Sequence, residues 1–204
     1  MLSSRHKFVF LHVPKTAGNA VQTWLLPHSD DRKVTHRFQD GIERFDVRGE
    51  VTPTKHATLQ AYFDVLGAAL DDYEIILPVR DPVERALSLY FSPHRAFGQP
   101  AGFMPAYEPG RFVALLDRTP SMLDYIRVGG VPRRPDVLLR FEHIAVDLGE
   151  LARRFGLPPP VLPVLNRSLD QAGLREELRQ DPFVVDRVRR RFAEDYGFFG
   201  LWDG

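Results

Sequence analysis

The distribution of apolar and polar residues along the chain predicts strands that alternate with helices. Three short runs, residues 8–13, 73–79 and 137–141, are apolar without alternation, which is typical of strands covered on both faces. Each run leads into a turn and then a segment with helical spacing of apolar residues, and a further helical stripe covers 57–70. The helix after 73–79 is expected to have Asp81 as its cap, Pro82 at its first position and an apolar stripe at Val83, Leu87 and Tyr90. Recurring strand–turn–helix units predict an α/β fold with a central, mainly parallel sheet flanked by helices.

The remaining segments are less regular. Residues 28–55 are polar and weakly patterned, with a short strand expected at 33–38, and residues 92–110 form a long loop rich in proline, glycine and aromatic residues. Helices are expected at about 111–118, 121–128, 170–179 and 182–195. The length of 204 residues fits one domain spanning 1–204.

Charge and composition remove several classes of function. Lys+Arg and Asp+Glu are both 27, and a formal net charge of zero argues against a general nucleic-acid-binding protein. The absence of cysteine excludes disulfides, thiolate metal sites and a cysteine nucleophile. The apolar runs are too short for a membrane span or a secretory signal. We therefore expect a cytoplasmic protein with no nucleic-acid partner, no membrane partner and no metal site.

The turn Pro14–Gly18 has the features of an anion site. It joins a buried strand to a helix, and small residues at such a turn let backbone N–H groups approach an anion at the helix N-terminus. Lys15 adds a full positive charge. The turn is not a Walker A loop, because no glycine precedes Lys15 at the required spacing. Taken alone, it fits equally well an ordinary strand–helix connection with a surface lysine.

Two segments together resemble the sulfotransferases that use 3′-phosphoadenosine 5′-phosphosulfate (PAPS). Residues 10–18, FLHVPKTAG, resemble the loop of that family that binds the 5′-phosphosulfate. Residues 77–90, LPVRDPVERALSLY, resemble its 3′-phosphate segment, in which an arginine and a serine eight positions later hold the phosphate; here these are Arg80 and Ser88. Weaker likenesses to the bacterial and carbohydrate branch occur at 55–58, 138–144 and 192–196.

The resemblance implies a three-layer, P-loop-like fold and a set of site residues. The residues that it assigns to PAPS, or to the product 3′-phosphoadenosine 5′-phosphate (PAP), are Pro14, Lys15, Thr16, Ala17, Gly18, Asn19, Ala20, Arg80, Ser88 and Arg167. The sequence departs from the family at Asn19 and Ala20, where hydroxyl residues are common, so Thr16 is expected to supply the phosphate-binding hydroxyl. Acceptor-side segments are expected at about 28–54 and 92–135, and the second contains residues that either line the acceptor site or anchor the loop: Phe97, Phe103, Met104 and Tyr107. Arg167 lies in Asn166-Arg167-Ser168, which resembles an Asn-x-Ser segment near the nucleotide in related enzymes and fits a helix cap equally well.

Sulfuryl transfer to a hydroxyl requires charge stabilisation on the leaving phosphate and a base that takes the acceptor proton. Lys15 is the candidate for the first role. His56 is the candidate base, since the resemblance places a base there and histidine titrates near neutral pH; a helix-capping role for it stays open. The fallback bases are His36, Glu43, Asp46 and Glu50. Lys55 contacts the sulfonate or is simply solvated.

The acceptor and two other functions stay open at this point. Carbohydrate hydroxyls are the commonest acceptors in the branch that the chain resembles, and a natural-product hydroxyl or a peptide tyrosine also fits. A P-loop-type kinase or NTPase is the first alternative, because Lys15-Thr16 and Asp81 imitate parts of Walker motifs. The second is a non-catalytic PAP-binding protein of the same fold, for which Asn19-Ala20 is the only sequence indication.

Overall fold

The computed structural model describes residues 1–35, 45–92, 106–160 and 173–201. The described residues divide into two compact units: one comprises 1–80 and 122–160, apart from 36–44, and the other comprises 81–92, 106–121 and 173–201. The single-domain organisation expected from the length stays a prediction.

The strands are β1 Leu2–Ser3, β2 Phe8–Phe10, β3 Arg32–Thr35, β4 Phe45–Arg48, β5 Glu74–Val79, β6 Arg127–Val128, β7 Val131–Pro132 and β8 Val137–Arg140. The α-helices are α1 Gly18–Leu25, α2 Leu59–Leu66, α3 Pro82–Tyr90, α4 Pro109–Arg118, α5 Ile144–Phe155, α6 Leu174–Gln180, α7 Pro182–Arg191 and α8 Ala193–Phe199. The α/β class and the flanking helices are confirmed, whereas the P-loop-like arrangement stays a prediction.

The central sheet has the order β1-β2-β5-β8. β2, β5 and β8 are parallel to one another, and β1 pairs antiparallel with β2, so the sheet is mixed with a parallel core. The parallel strands are the three apolar runs of the sequence, and Phe8, Val9 and Phe10 are fully buried. Loops that follow parallel strands lie at the same edge of a sheet. The turn 14–18 follows β2 and Arg80 follows β5, so both lie at this edge.

Each unit has its own apolar core. In the first unit, Phe8, Phe10 and Ile76 of the sheet pack with Val21 of α1 and Leu148 of α5. In the second unit, the inward face of α3 packs with α4, α6 and α7. The residues of that core include Val83, Ala86, Leu87, Tyr90, Phe112, Leu116, Leu178, Val184 and Val188. The apolar stripe expected on α3 at Val83, Leu87 and Tyr90 is therefore confirmed.

The prediction of a helix at 121–128 is wrong. A short 3-10 turn at Leu123–Tyr125 is followed by the antiparallel hairpin β6–β7. Gly129 and Gly130 connect its strands with φ values of 59° and 81°. Two consecutive left-handed residues form the tight turn that suits the twist of a hairpin, and glycine adopts them without steric cost.

Candidate functional site

The turn between β2 and α1 has an unusual backbone. Lys15 and Ala17 lie in the left-handed region, with φ of 72° and 63°. Residues other than glycine in this region cost about 1–3 kcal/mol each and occur mainly where the surrounding structure fixes them, often at binding sites. Alternation of left- and right-handed residues turns successive N–H groups toward one side, a known form of anion-binding concavity.

The hydroxyl of Thr16 does not have the direction expected from the sequence. The side chain is fully buried, and its Oγ1 donates to the carbonyl oxygen of Val13 at 2.8 Å. This hydrogen bond closes the turn on itself and uses the only hydroxyl proton that Thr16 has. Thr16 thus shapes the loop, and the backbone N–H groups and Lys15 are the donors best suited to an anion.

Helix α1 begins at Gly18 without a side-chain cap, and its first turn contains no acidic residue. The positive end of the helix dipole therefore meets no carboxylate from its own first turn. Gly18 is needed for space: a Cβ atom there would lie 2.0 Å from Cδ2 and 2.3 Å from Nε2 of His12. The helix start and the His12 ring are in close contact.

Arg80 is brought to the same loop by the end of β5. It is buried, and its Nη1 donates to the carbonyl oxygen of Lys15 at 3.2 Å. Its guanidinium lies 3.8 Å from the ring centroid of Phe141, which follows β8 directly. Stacking on an aromatic ring and bonding to the loop hold the planar donor group of Arg80 beside Lys15.

Ser88 belongs to the second unit. It is buried on α3, whose N-terminus is capped by Asp81: Oδ1 of Asp81 accepts from the N–H of Glu84 at 2.9 Å, as the sequence predicts. Tyr196 of α8 lies near Asp81 in the same unit, and burial, followed by the charge of Asp81, raises the pKa of the phenol. The joint use of Arg80 and Ser88 stays a prediction.

His56 has a defined hydrogen bond. Its Nδ1 lies 2.9 Å from the backbone carbonyl oxygen of His12. A carbonyl oxygen only accepts, so Nδ1 carries the proton and Nε2 keeps its lone pair. Burial lowers the pKa of His56 and outweighs the hydrogen bond to His12, which raises it; the charge of Lys55 then lowers the pKa further, and Asp46 raises it slightly. Although the residue keeps solvent-exposed surface, the ring is neutral near neutral pH, as a proton acceptor must be.

The ring of His12 packs against the ring of His56. The two ring centroids are 4.6 Å apart, and Nδ1 of His12 donates to Oε1 of Gln22 at 3.1 Å. Burial lowers the pKa of His12 well below its usual value, and His56 and Lys55 act in the same direction. His12 is therefore a neutral, buried ring beside the loop.

A hairpin of β3 and β4 lies next to Lys55. The Lys55 ammonium is 4.7 Å from the ring centroid of Phe45, and Lys33 approaches the same ring at 4.8 Å. Asp46 accepts from the N–H of Lys55 at 2.7 Å and from Nε of Arg48 at 3.1 Å. Lys55 is thus packed against the hairpin instead of being simply solvated, and burial lowers its pKa although Asp46 opposes this.

The fallback bases divide into three groups. Burial raises the pKa of Asp46, but the hydrogen bonds from Lys55, Arg48 and Val47 outweigh it and hold the pKa below its usual value, so this carboxylate is a weak base. Glu50 is exposed. His36 and Glu43 lie outside the described residues.

Other sequence predictions also fall outside the described part of the chain. They are Arg167 with its neighbours Asn166 and Ser168, and the loop residues Phe97, Phe103 and Met104. Tyr107 is described: its ring packs on Tyr90 and Phe112 at 5.6 and 5.8 Å, within the core of the second unit. Burial, followed by the charge of Asp181, raises the pKa of Tyr107 to about 12.

Two site residues were missed from the sequence. Gln22 lies between Val21 and Thr23 on α1, and Phe141 directly follows β8. A polar residue at a buried helix position was the available signal for Gln22, since a buried amide needs a partner. No comparable signal marked the stacking of Phe141 on Arg80.

Within the described ranges, no group of three or more His, Asp or Glu side chains is placed to hold a metal ion. Likewise, none of the described helices has the length and hydropathy needed to cross a membrane.

Comparison with known proteins identifies one similarity. Residues 1–100 match the model of the sulfotransferase family. The matched segment contains the turn 14–18, His56 and Arg80 with Ser88. No curated protein and no solved structure matches the chain.

Proposed function

The chain belongs to the sulfotransferase family, and from that premise we propose that it transfers the sulfuryl group of PAPS to a hydroxyl group of a carbohydrate or small natural product. PAPS, when bound, supplies the activated sulfuryl group, and PAP is the product that remains. The observation that carries the proposal is the turn 14–18 at the start of α1, with Lys15 and the buried Arg80 held beside each other.

The loop and the residues beside it fit a nucleotide that carries phosphates at its 3′ and 5′ positions. Left-handed residues at Lys15 and Ala17, a helix start without an acidic side chain and the close packing at Gly18 form a cradle that favours an anion. In the proposal, residues Pro14–Ala20 hold the 5′-phosphosulfate. Arg80, Ser88 and Arg167 hold the 3′-phosphate, since guanidinium and hydroxyl groups are suitable donors to phosphate.

His56 is the proton acceptor in this proposal. Its Nε2 has a lone pair because Nδ1 donates to the His12 carbonyl, and its lowered pKa keeps the ring neutral at the pH of the reaction. A base whose pKa lies near the working pH is effective in taking a hydroxyl proton as the oxygen attacks. Lys15 stabilises the charge that develops on the leaving phosphate oxygen.

The proposal also includes a P-loop-like, single-domain arrangement of the whole chain and a cytoplasmic location. The P-loop likeness is supported by the parallel strands β2 and β5, which lead into the turn 14–18 and Arg80.

Conversion of PAPS to PAP tests this function directly. The protein is incubated with PAPS, without divalent metal, beside panels of oligosaccharides, phenolic natural products and tyrosine peptides, and sulfated product is detected by mass spectrometry. The proposal is supported if the wild type sulfates a hydroxyl and the Lys15→Ala variant does not. Magnesium-dependent consumption of ATP, with PAPS untouched, replaces it with a kinase or NTPase. Tight PAP binding without turnover on any acceptor replaces it with a non-catalytic binding protein.

A further inference from the structure

Gln22 is buried at a cost that packing does not explain. The residue is fully buried on α1, its Oε1 accepts from His12, and its Nε2 has no hydrogen-bond partner among the described residues. An unsatisfied buried amide group destabilises the folded state, whereas an apolar side chain of similar shape avoids that cost. The single bond to His12 is therefore the evident use of this amide.

That bond fixes the orientation of the His12 ring. Nδ1 is held by Gln22 at 3.1 Å, and the Cδ2–Nε2 edge lies so close to Gly18 that no Cβ could fit between them. The ring centroid of His56 is 4.6 Å away, with the planes inclined at 45°. A ring restrained on these three sides has one allowed position, since buried side chains that are closely packed do not reorient freely.

His12 in turn determines the state of His56. Its carbonyl oxygen accepts from Nδ1 of His56 at 2.9 Å, and its ring supports that of His56. The proton of a neutral imidazole occupies the nitrogen that has an acceptor, so this contact selects the tautomer that leaves Nε2 as a base. The charged groups that also act on His56 are Lys55 and Asp46, with opposite effects.

We propose that Gln22 is a positioning residue that acts through His12 to keep His56 in the Nδ1–H tautomer, with Nε2 directed by a fixed ring. The role of His56 as base rests on the proposed function, but the tautomer and its dependence on Gln22 do not. Gln22 lies on the helix whose N-terminus forms the anion cradle, so one helix supports both the cradle and the base.

Nuclear magnetic resonance of protein labelled with nitrogen-15 in histidine tests this inference without any acceptor. Long-range proton–nitrogen spectra report which ring nitrogen carries the proton. In the wild type, His56 is expected in the Nδ1–H form. In Gln22→Met, the Nε2–H form of His56 is expected to become comparably populated, and its pKa is expected to rise toward 6.5 as the ring loosens from the protein.

Two further variants separate positioning from a general loss of structure. Gln22→Glu keeps an acceptor for His12 Nδ1, so it is expected to retain the Nδ1–H form of His56 while raising the pKa of His12. Gln180→Met makes the same change as Gln22→Met at an exposed position at the end of α6, where Gln180 donates to Glu176, and is expected to leave every histidine signal unchanged.

Three results overturn the inference: Nε2–H as the main form of His56 in the wild type, an unchanged His56 tautomer and pKa in folded Gln22→Met, or equal effects of Gln22→Met and Gln180→Met. The wild-type spectrum decides the first point even if a variant fails to fold. Calorimetric titration of the same samples with PAP keeps the two proposals apart. If the His56 tautomer depends on Gln22 but PAP does not bind, the positioning role alone is supported. If PAP binds but the His56 tautomer does not depend on Gln22, the proposed function alone is supported.

Discussion

Gly18→Ala is the substitution for which the structure gives the clearest magnitude. The added Cβ would lie 2.0 Å from Cδ2 and 2.3 Å from Nε2 of His12. Carbon atoms in good contact are about 3.5–4.0 Å apart, so the ring would have to withdraw by about 1.5–2 Å. It has no room to do so, because Gln22 holds Nδ1 and the His56 ring lies 4.6 Å away.

The expected cost follows from these contacts. Overpacking of a buried site costs about 1–3 kcal/mol, and loss of the hydrogen bond between His12 and Gln22 adds about 1 kcal/mol. The sum of about 2–4 kcal/mol corresponds to a fall in Tm of about 4–16 °C for a chain of this length. Because Gly18 also begins α1 and belongs to the anion cradle, we expect PAP affinity to fall at least about tenfold, or about 1.4 kcal/mol.

Urea denaturation and calorimetric titration with PAP measure the two effects. Gly149→Ala is the matched control, since Gly149 lies within α5 of the same unit and a Cβ there meets no atom within 4 Å. Replacing glycine in a helix interior stabilises by about 0.5–1 kcal/mol, so the control should become more stable and bind PAP as before. If Gly18→Ala is as stable as the wild type and binds PAP equally well, the close packing of His12 against the loop is refuted.

Three further predictions concern Arg80, His56 and Asp46. Arg80→Ala should weaken PAP binding about 10- to 150-fold in calorimetry, as expected for a charged hydrogen bond of about 1.5–3 kcal/mol, whereas Arg111→Ala, at an exposed ion pair on α4, should not. His56→Ala should keep PAP affinity and lower the sulfation rate about 10²- to 10⁴-fold. In the wild type, the rate should begin to fall only below pH 6.5, because the pKa of His56 is lowered, and normal turnover of the variant would exclude His56 as base. Asp46→Asn should lower stability by about 1–3 kcal/mol near neutral pH. The lowered pKa of Asp46 means that its contribution is present above pH 3.8 and is lost as pH falls through the folded-state value, so the difference from wild type in urea denaturation should shrink in acid, and a constant difference would contradict the hydrogen bonding assigned to Asp46.

Elements with strong local signals were predictable from the sequence. Helix α3 has a capping aspartate, a proline at its first position and an apolar stripe, and the structure has each of these features where the sequence places it. The parallel strands were recognisable as buried apolar runs. A local signal also explains the error at 121–128. Gly129-Gly130 is typical of a hairpin turn, and the prediction of a helix from the spacing of apolar residues took no account of it.

The site was predictable only in part, because its contacts join distant positions. The position of Lys15 beside Arg80 follows from the rule that parallel strands end at one edge of a sheet, and the structure has that contact. The contacts of His12 with Gln22 and His56 bridge 10 and 44 residues and depend on the packing of α1. No local pattern encodes them.

The central claim is that the turn 14–18 and Arg80 bind a nucleotide with phosphates at its 3′ and 5′ positions. Calorimetric titration with PAP, beside 5′-AMP, ADP and ATP without magnesium, tests it most directly. The account predicts micromolar binding of PAP, corresponding to about −8 kcal/mol, that is lost when the 3′-phosphate is absent. Binding of ADP or ATP with no response to PAP would contradict the assignment of Arg80 and Ser88 and favour a kinase.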